Sequence, residues 1–351
     1  MRVISEDLNH ILENTQALWN ELYKKSIFLT GGSGFFGSWI LESFLFANRK
    51  LNLKAKALVL TRNPATLSEK MPHIMDDPSV EIHVGDVRDF DFPEGEFSHI
   101  IHLASASAIG KFLNEDPLLR FDTIVQGTRR VLDFAQKCRA RKFLCTSTGY
   151  VYGKQVPGLT LIPEDYKGLP ELDDPNAVLG FGKRTAELLC VSYSKKFGFD
   201  SKIARCFSFV GPYLQLNIHY AIGNFIRDTI NGGPIVVKGD GTAVRSYMYV
   251  SDLMIWLWTI LFKGKNREPY NVGSEKEITI KELAFKVAEI YKKLTGKTVE
   301  VIIREEPDPS KPADRYVPST RKAKTELGLK QTVSLEDAIE KTLKFYLYRG
   351  G

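Results

Sequence analysis

Gly31, Gly34 and Gly37 follow one another at three-residue intervals, directly after the apolar run Ile27-Phe28-Leu29-Thr30. Trp39, Ile40, Leu41, Phe44 and Leu45 come next at helical spacing. The pattern predicts a strand, a tight glycine turn and a helix N-terminus. Glycine lets such a turn close and lets backbone approach a phosphate, while the helix start offers free N–H groups and a partial positive charge. The chemistry this suits is capture of a dinucleotide pyrophosphate, with Gly31, Gly34, Phe35, Phe36 and Gly37 around it.

Positioning that turn requires a sheet. Strand-like runs recur at 55–60, 80–84, 99–103, 142–146 and 202–205, with helical segments between them. That alternation predicts an α/β fold, a Rossmann-type doubly wound parallel sheet with right-handed crossovers. Leu8, Ile11, Leu12, Leu18, Trp19 and Leu22 sit near helical spacing, so 1–25 reads as a helical extension packed outside the sheet. Residues 26–210 form the dinucleotide-binding domain. Past Gly211-Pro212, turn signals such as Asn231-Gly232-Gly233-Pro234 and the Pro-rich stretch 306–312 break the rhythm. Residues 211–351 therefore read mainly as a smaller substrate-binding lobe over the carboxyl ends of the strands, with 251–263 packing back on the first domain. A ligand would lie between the two.

Composition excludes several classes. The 351 residues are 43% hydrophobic and 26% charged, with a net charge of +6. No basic stripe interleaves with aromatics, which argues against nucleic acid, whereas a phosphate-bearing small ligand suits a slightly basic chain. The longest apolar run, 253–262, is too short to span a bilayer and reads as a buried helix, so no membrane partner is expected. Glu6, Asp7 and Glu13 among the first apolar residues fit neither a signal nor a transit peptide. Cys138, Cys145, Cys190 and Cys206 lack metal-ligand spacing and predict reduced, buried thiols, a cytoplasmic location and no metal site.

Several segments together resemble the extended short-chain dehydrogenase/reductase family of nucleotide-sugar epimerases, dehydratases and reductases. Thr30–Gly37 resembles its glycine turn, and Gly85-Asp86-Val87-Arg88-Asp89 its adenine-contacting segment. His102-Leu103-Ala104-Ser105 resembles the strand beneath the nicotinamide, and Thr146-Ser147-Thr148-Gly149-Tyr150-Val151-Tyr152-Gly153 its active-site strand. The resemblance runs from about residue 26 to the end of the chain. It implies that Asp86, Val87, Leu103 and Ala104 contact the cofactor. It implies that the Thr148 hydroxyl bonds the oxygen at the reacting sugar carbon. Lys183 would hold the nicotinamide ribose and lower a neighbouring tyrosine's pKa. Arg245 would grip a sugar-nucleotide pyrophosphate, and Arg315 would close over the nucleotide. Asn224 would either touch the diphosphate or face water.

The chain departs from that family at four places. Tyr-x-x-x-Lys reads Leu179-Gly180-Phe181-Gly182-Lys183, so the usual proton donor is absent. Tyr150, two residues past Thr148 and so on the same strand face, is the first replacement; Tyr166 is the second. The Asn of Arg-x-x-Asn-x-x-Gly-Pro is Ser208, and the Asn before the Gly-Thr of the next crossover helix is Ile124. Dehydratases of the family place Asp-Glu after the catalytic Thr, where this chain has Gly149-Tyr150.

The resemblance then implies an oxidoreductase acting on a nucleotide-activated sugar, as in polysaccharide biosynthesis. Reduction of a nucleotide-linked 4-keto-6-deoxy sugar by NADPH is the first expectation. An epimerase or dehydratase with tightly bound NAD is the alternative, and a catalytically silent dinucleotide-binding protein the second. Thr61 ends the second strand without a carboxylate and Arg62 follows it, which favours NADP(H) over NAD(H). Apolar surfaces on 122–139 (Ile124, Val125, Val131, Leu132, Phe134, Ala135) and 182–196 (Ala186, Leu188, Leu189, Val191, Tyr193) predict a homodimer.

Overall fold

In β1 (Ser26–Thr30), Ile27 and Leu29 face one layer of the molecule and Phe28 the opposite one, as the two-residue period of a strand requires. The computed structural model describes residues 2–104, 116–174, 177–218 and 220–348. Ser105 lies outside them.

Around β1 stand β2 (Lys56–Thr61), β3 (Val80–Val84), β4 (His99–His102), β5 (Lys142–Thr148) and β6 (Asp200–Cys206). The short strands β7 (Phe209–Val210), β8 (Ile235–Val237), β9 (Val244–Ser246) and β10 (Met248–Tyr249) precede β11 (Pro269–Val272). The main sheet has seven strands in the order β11-β6-β5-β4-β1-β2-β3, and every pairing in it is parallel. The expected doubly wound sheet is present. Its seventh strand, β11, comes from the segment read as substrate lobe, because Tyr270 and Val272 are apolar enough to be buried against β6.

The helices α1 (Arg2–Thr15), α2 (Phe35–Leu51), α3 (Pro64–Lys70), α4 (Pro72–Met75), α5 (Pro117–Lys137), α6 (Ala177–Phe197), α7 (Ala221–Ile230) and α8 (Val250–Lys263) follow in chain order. Phe28 meets Phe134 of α5 at 4.7 Å between centroids, in the core on one face of the sheet. The other face carries α2 and α8. Every residue of α8 from 250 to 262 is buried, so it packs on all sides. The amino-terminal extension is α1 followed by a 3₁₀ turn, Gln16–Leu22. Trp19 stacks 4.5 Å from Trp258 of α8, which fixes the extension to the outer layer.

The remaining elements are β12 (Glu277–Thr279), α9 (Ile280–Thr295), β13 (Val301–Ile303), β14 (Arg315–Tyr316), α10 (Arg321–Leu327) and α11 (Leu335–Leu347). β9 pairs with β12 and β14, and β8 with β13, in two small sheets. All four cysteines are free and buried. Among the described residues no metal-binding cluster occurs and no helix is long and apolar enough to cross a membrane.

Candidate active site

At the carboxyl ends of the central strands a cavity of about 570 Å³ opens along the glycine turn. Gly31 has φ +76°, and a Cβ there would stand 2.8 Å from the Ala104 nitrogen. At Gly37 a Cβ would fall 2.2 Å from the Gly31 oxygen. Both positions therefore require glycine for the turn to exist. Gly34 is different: it caps α2 with no side chain, and a Cβ there would meet only the Gly31 oxygen, at 3.4 Å. Its bareness keeps a helix N-terminus open to an anion. Gly31, Gly34, Phe35, Phe36 and Gly37 all line the cavity, so these residues fit a dinucleotide.

At one end lie Thr61, Arg62, Asp86 and Val87. Arg88 grips Asp86 through Nε at 2.8 Å and Nη2 at 3.2 Å, and holds that carboxyl below its ordinary pKa. Arg62 is 72% exposed and stands 3.9 Å from the same carboxylate.

Beneath the middle of the cavity a buried chain of hydroxyls and imidazole ties three elements together. Thr128 of α5 donates to the Ile124 carbonyl at 2.6 Å, so it accepts from His102 Nε2 at 3.0 Å. His102 Nδ1 then accepts from Thr30 at 2.9 Å, and Thr30 Oγ1 accepts from the Ala104 N–H at 3.1 Å. The partners assign the tautomer as the Nε2–H form. Burial pulls the imidazole pKa down to about 3, which keeps it neutral. The effect is to hold the ends of β1 and β4, with Leu103 and Ala104, under the turn.

Lys183 of α6 is buried and donates to the Thr146 carbonyl at 2.8 Å. Burial lowers its pKa. Thr148, the last residue of β5, accepts from the Tyr150 N–H at 3.3 Å. Tyr150 reaches the cavity from a 3₁₀ turn, Gly149–Tyr152, rather than from the strand face that alternation implied. Burial raises the pKa of its phenol. Tyr166 packs 6.2 Å from Tyr152, centroid to centroid, and is not part of the cavity wall.

Gly149 now has a physical explanation. A Cβ there would stand 2.5 Å from the Tyr316 hydroxyl and 2.7 Å from Phe207. Tyr316 fills the space where a carboxylate side chain would go, stacked on Tyr150 with centroids 5.0 Å apart. Leu179 lines the cavity too, packed on Ile124 and Ala186.

The structure gathers Thr148, Tyr150, Lys183, Ser208 and all the expected cofactor residues in the lining of one cavity. It does not bring Arg245, Arg315 or Asn224 there. Arg245 pairs with Asp314 at 2.5 Å, and Arg315 pairs with Glu277. The Asn224 side-chain oxygen accepts from Arg227 at 3.2 Å. Sequence reasoning missed Arg120 and Tyr220, which also line the cavity. Neither sits in a motif; only helical phase could have flagged Arg120, one turn before Ile124.

A glycine turn at β1, a buried lysine on α6 and a threonine ending β5 define a dinucleotide-dependent α/β enzyme. The pattern of the NAD dependent epimerase/dehydratase family matches residues 27–273, and the chain belongs to that family. It is 30% identical over 93% of its length to UDP-glucuronic acid decarboxylase 1 of Xenopus tropicalis, covering 73% of that protein. It is 32% identical over 89% of its length to UDP-glucuronic acid decarboxylase 3 of Arabidopsis thaliana, covering 86% of it. Among solved structures, DesIV, a dTDP-glucose 4,6-dehydratase of Streptomyces venezuelae with NAD bound, aligns with TM-score 0.74 and 26% identity, over 92% of this chain and 96% of that one. The UDP-glucuronic acid 4-epimerase of Bacillus cereus shares the fold, with TM-score 0.76 and 22% identity over 92% and 99% of the two chains. These relatives match the epimerase and dehydratase alternative rather than NADPH-dependent reduction of a keto sugar. They are enzymes, and the silent-binding alternative falls with them.

Proposed function

We propose that the protein transforms a nucleotide-activated sugar by oxidation and return of hydride at one sugar carbon, as an epimerase or decarboxylase, with NAD retained through the cycle. The observation that carries this reading is the meeting of Thr148, Tyr150 and Lys183 in one cavity with the glycine turn. When bound, the nicotinamide would take and give back the hydride. The chain's own residues do the rest. The α2 N-terminus and the bare turn hold the pyrophosphate, and Lys183, fixed by Thr146, reaches the ribose. Thr148 orients the oxygen on the reacting carbon. Tyr150, as phenolate, would take the proton of that oxygen as hydride leaves and give it back as hydride returns; because burial raises its pKa, this active form is the minor one at neutral pH. With Gly149 closed off by Tyr316, no carboxylate pair stands beside Thr148, which disfavours elimination of water.

The test is incubation with UDP-glucuronic acid and UDP-glucose in turn, without added cofactor, followed by mass and stereochemical analysis. Loss of carbon dioxide marks a decarboxylase, and unchanged mass with inverted stereochemistry an epimerase. Net NADPH consumption on a 4-keto sugar would return the reductase reading. A preference for NADP(H) rests on Thr61 and exposed Arg62; tighter binding of NAD than NADP in calorimetric titration would exclude it.

We further propose a homodimer in the cytoplasm. Much of the apolar surface expected to be surplus is consumed within the chain: Ile124, Val131, Leu132, Phe134 and Ala135 are buried. What remains on α5 and α6 is Leu118, Leu119, Leu188 and Phe197, which are 74%, 42%, 65% and 41% exposed. Light scattering that gives a monomer at micromolar concentration refutes the dimer.

A further inference from the structure

Among the described residues four charged side chains line the cavity: Arg62, Asp86, Arg120 and Lys183. Three have evident partners. Arg62 and Asp86 face each other, Arg88 completes that cluster, and Lys183 donates to Thr146. Arg120 is the exception. Only 9% of it is exposed, and its Nε has no hydrogen-bond partner. No ion pair to it occurs among the described residues. Asp116 caps α5 through the Leu118 N–H at 2.9 Å, and Asp122 lies two residues along the helix; neither forms an ion pair with Arg120 among the described residues.

A guanidinium cannot escape this position by losing its proton, unlike a buried lysine. Leaving its buried Nε without an acceptor is costly, and the guanidinium lines the cavity, which points to a partner that arrives from outside. Of the carboxylates that also act on Tyr150, Asp314 is engaged by Arg245 at 2.5 Å, and no ion pair joins Asp174 to Arg120 among the described residues. The charge of Arg120 acts on the hydroxyls of Tyr150 and Tyr220, but burial keeps both phenols protonated, Tyr220 with a pKa pushed up to about 12. Arg120 thus lines the cavity together with Tyr150 and Tyr220, two groups that cannot neutralise it.

We propose that Arg120 binds a carboxylate carried by the substrate's sugar ring, so that the enzyme selects nucleotide-activated uronic acids over the matching neutral hexoses. This rests on the reading that the cavity takes a nucleotide sugar. The planar fork of arginine matches a carboxylate in bidentate geometry, and at a buried site such a bond is strong. A diphosphate would also satisfy the charge, but the place beside Tyr150 is where the reacting sugar lies, not its linkage.

The experiment measures binding of UDP-glucuronic acid and UDP-glucose to the NAD-loaded protein and to its Arg120→Met and Arg120→Lys variants. The wild type is expected to favour the uronic acid by about tenfold to a hundredfold, the range for a hydrogen bond to a charged group. Arg120→Met is expected to erase that preference while leaving UDP-glucose affinity within about threefold, and Arg120→Lys to restore only part of it. Equal binding of both sugars by the wild type overturns the proposal and leaves the nucleotide-sugar reading intact, a result that needs no variant to fold. Equal weakening of both sugars in Arg120→Met assigns Arg120 to the diphosphate and also overturns it. Failure of both sugars to bind a protein that holds NAD overturns the underlying reading together with this one.

Discussion

Ile124 of α5 and Leu179 of α6 share one small apolar cluster with Ala186. These are two of the positions at which the chain departs from its family's pattern, an asparagine in one case and the proton-donating tyrosine in the other. The departures are therefore one change in space: a polar pair beside the cofactor site has become an apolar pair. Ile124→Asn alone should bury an amide without partners and cost about 1–3 kcal/mol. Combined with Leu179→Tyr the two effects should be non-additive by at least about 0.5 kcal/mol, as expected for residues in contact. Urea unfolding of the single and double variants checks this, and strict additivity would separate the two sites.

Tyr150→Phe preserves the ring that stacks on Tyr316 and removes only the hydroxyl. Turnover should fall by about 10²–10⁴, the usual contribution of a positioned acid or base. Because the phenol must be ionised to take the hydroxyl proton and burial raises its pKa, the wild-type rate should rise with pH through neutrality and level off only above the ordinary tyrosine value of about 10. Full activity in the variant would remove Tyr150 from the mechanism and make Tyr220 the donor to test.

The glycines of the turn should separate into two kinds. Gly31→Ala must place a Cβ at φ +76° and 2.8 Å from the Ala104 nitrogen, so it should lose about 1–3 kcal/mol of stability. Gly34→Ala has room and should leave stability within about 1 kcal/mol, yet weaken NAD. Thermal unfolding alongside calorimetric titration reads both. Undiminished NAD affinity in Gly34→Ala would mean that the pyrophosphate lies elsewhere.

His102 should give the protein an acid sensitivity of its own. Its folded pKa is about 3 against an ordinary value of 6.5. Above 6.5 both states are neutral and no stability is lost. As pH falls below that value the unfolded chain binds a proton that the folded one refuses, so stability drops until about pH 3. At about pH 5 the loss from this residue should be roughly 2 kcal/mol. His102→Gln should flatten the stability difference between about pH 7.5 and pH 5 by that amount. An unchanged slope in denaturant titrations at the two pH values would show that the imidazole titrates freely.

The sequence carried the first half of the fold and the cofactor turn, since both are written in local patterns. Two-residue alternation placed Ile27, Phe28 and Leu29. Glycine spacing forecast the turn at Gly31, and the family resemblance singled out Thr148 and Lys183, both of which line the cavity. β11 was missed because a four-residue strand has too little periodicity to stand out from the loops around it. Tyr150 was placed correctly for the wrong reason, since the strand ends at Thr148 and a 3₁₀ turn carries the ring inward. Only the tertiary structure showed that Tyr316 occupies the space at Gly149, that Ile124 meets Leu179, that Asp314 engages Arg245, and that Arg120 is left without a described partner. Each of these depends on segments far apart in the chain. A motif fixes which groups are present, but the pKa of a phenol, the availability of a guanidinium and the room for a Cβ are set by what folding brings alongside them.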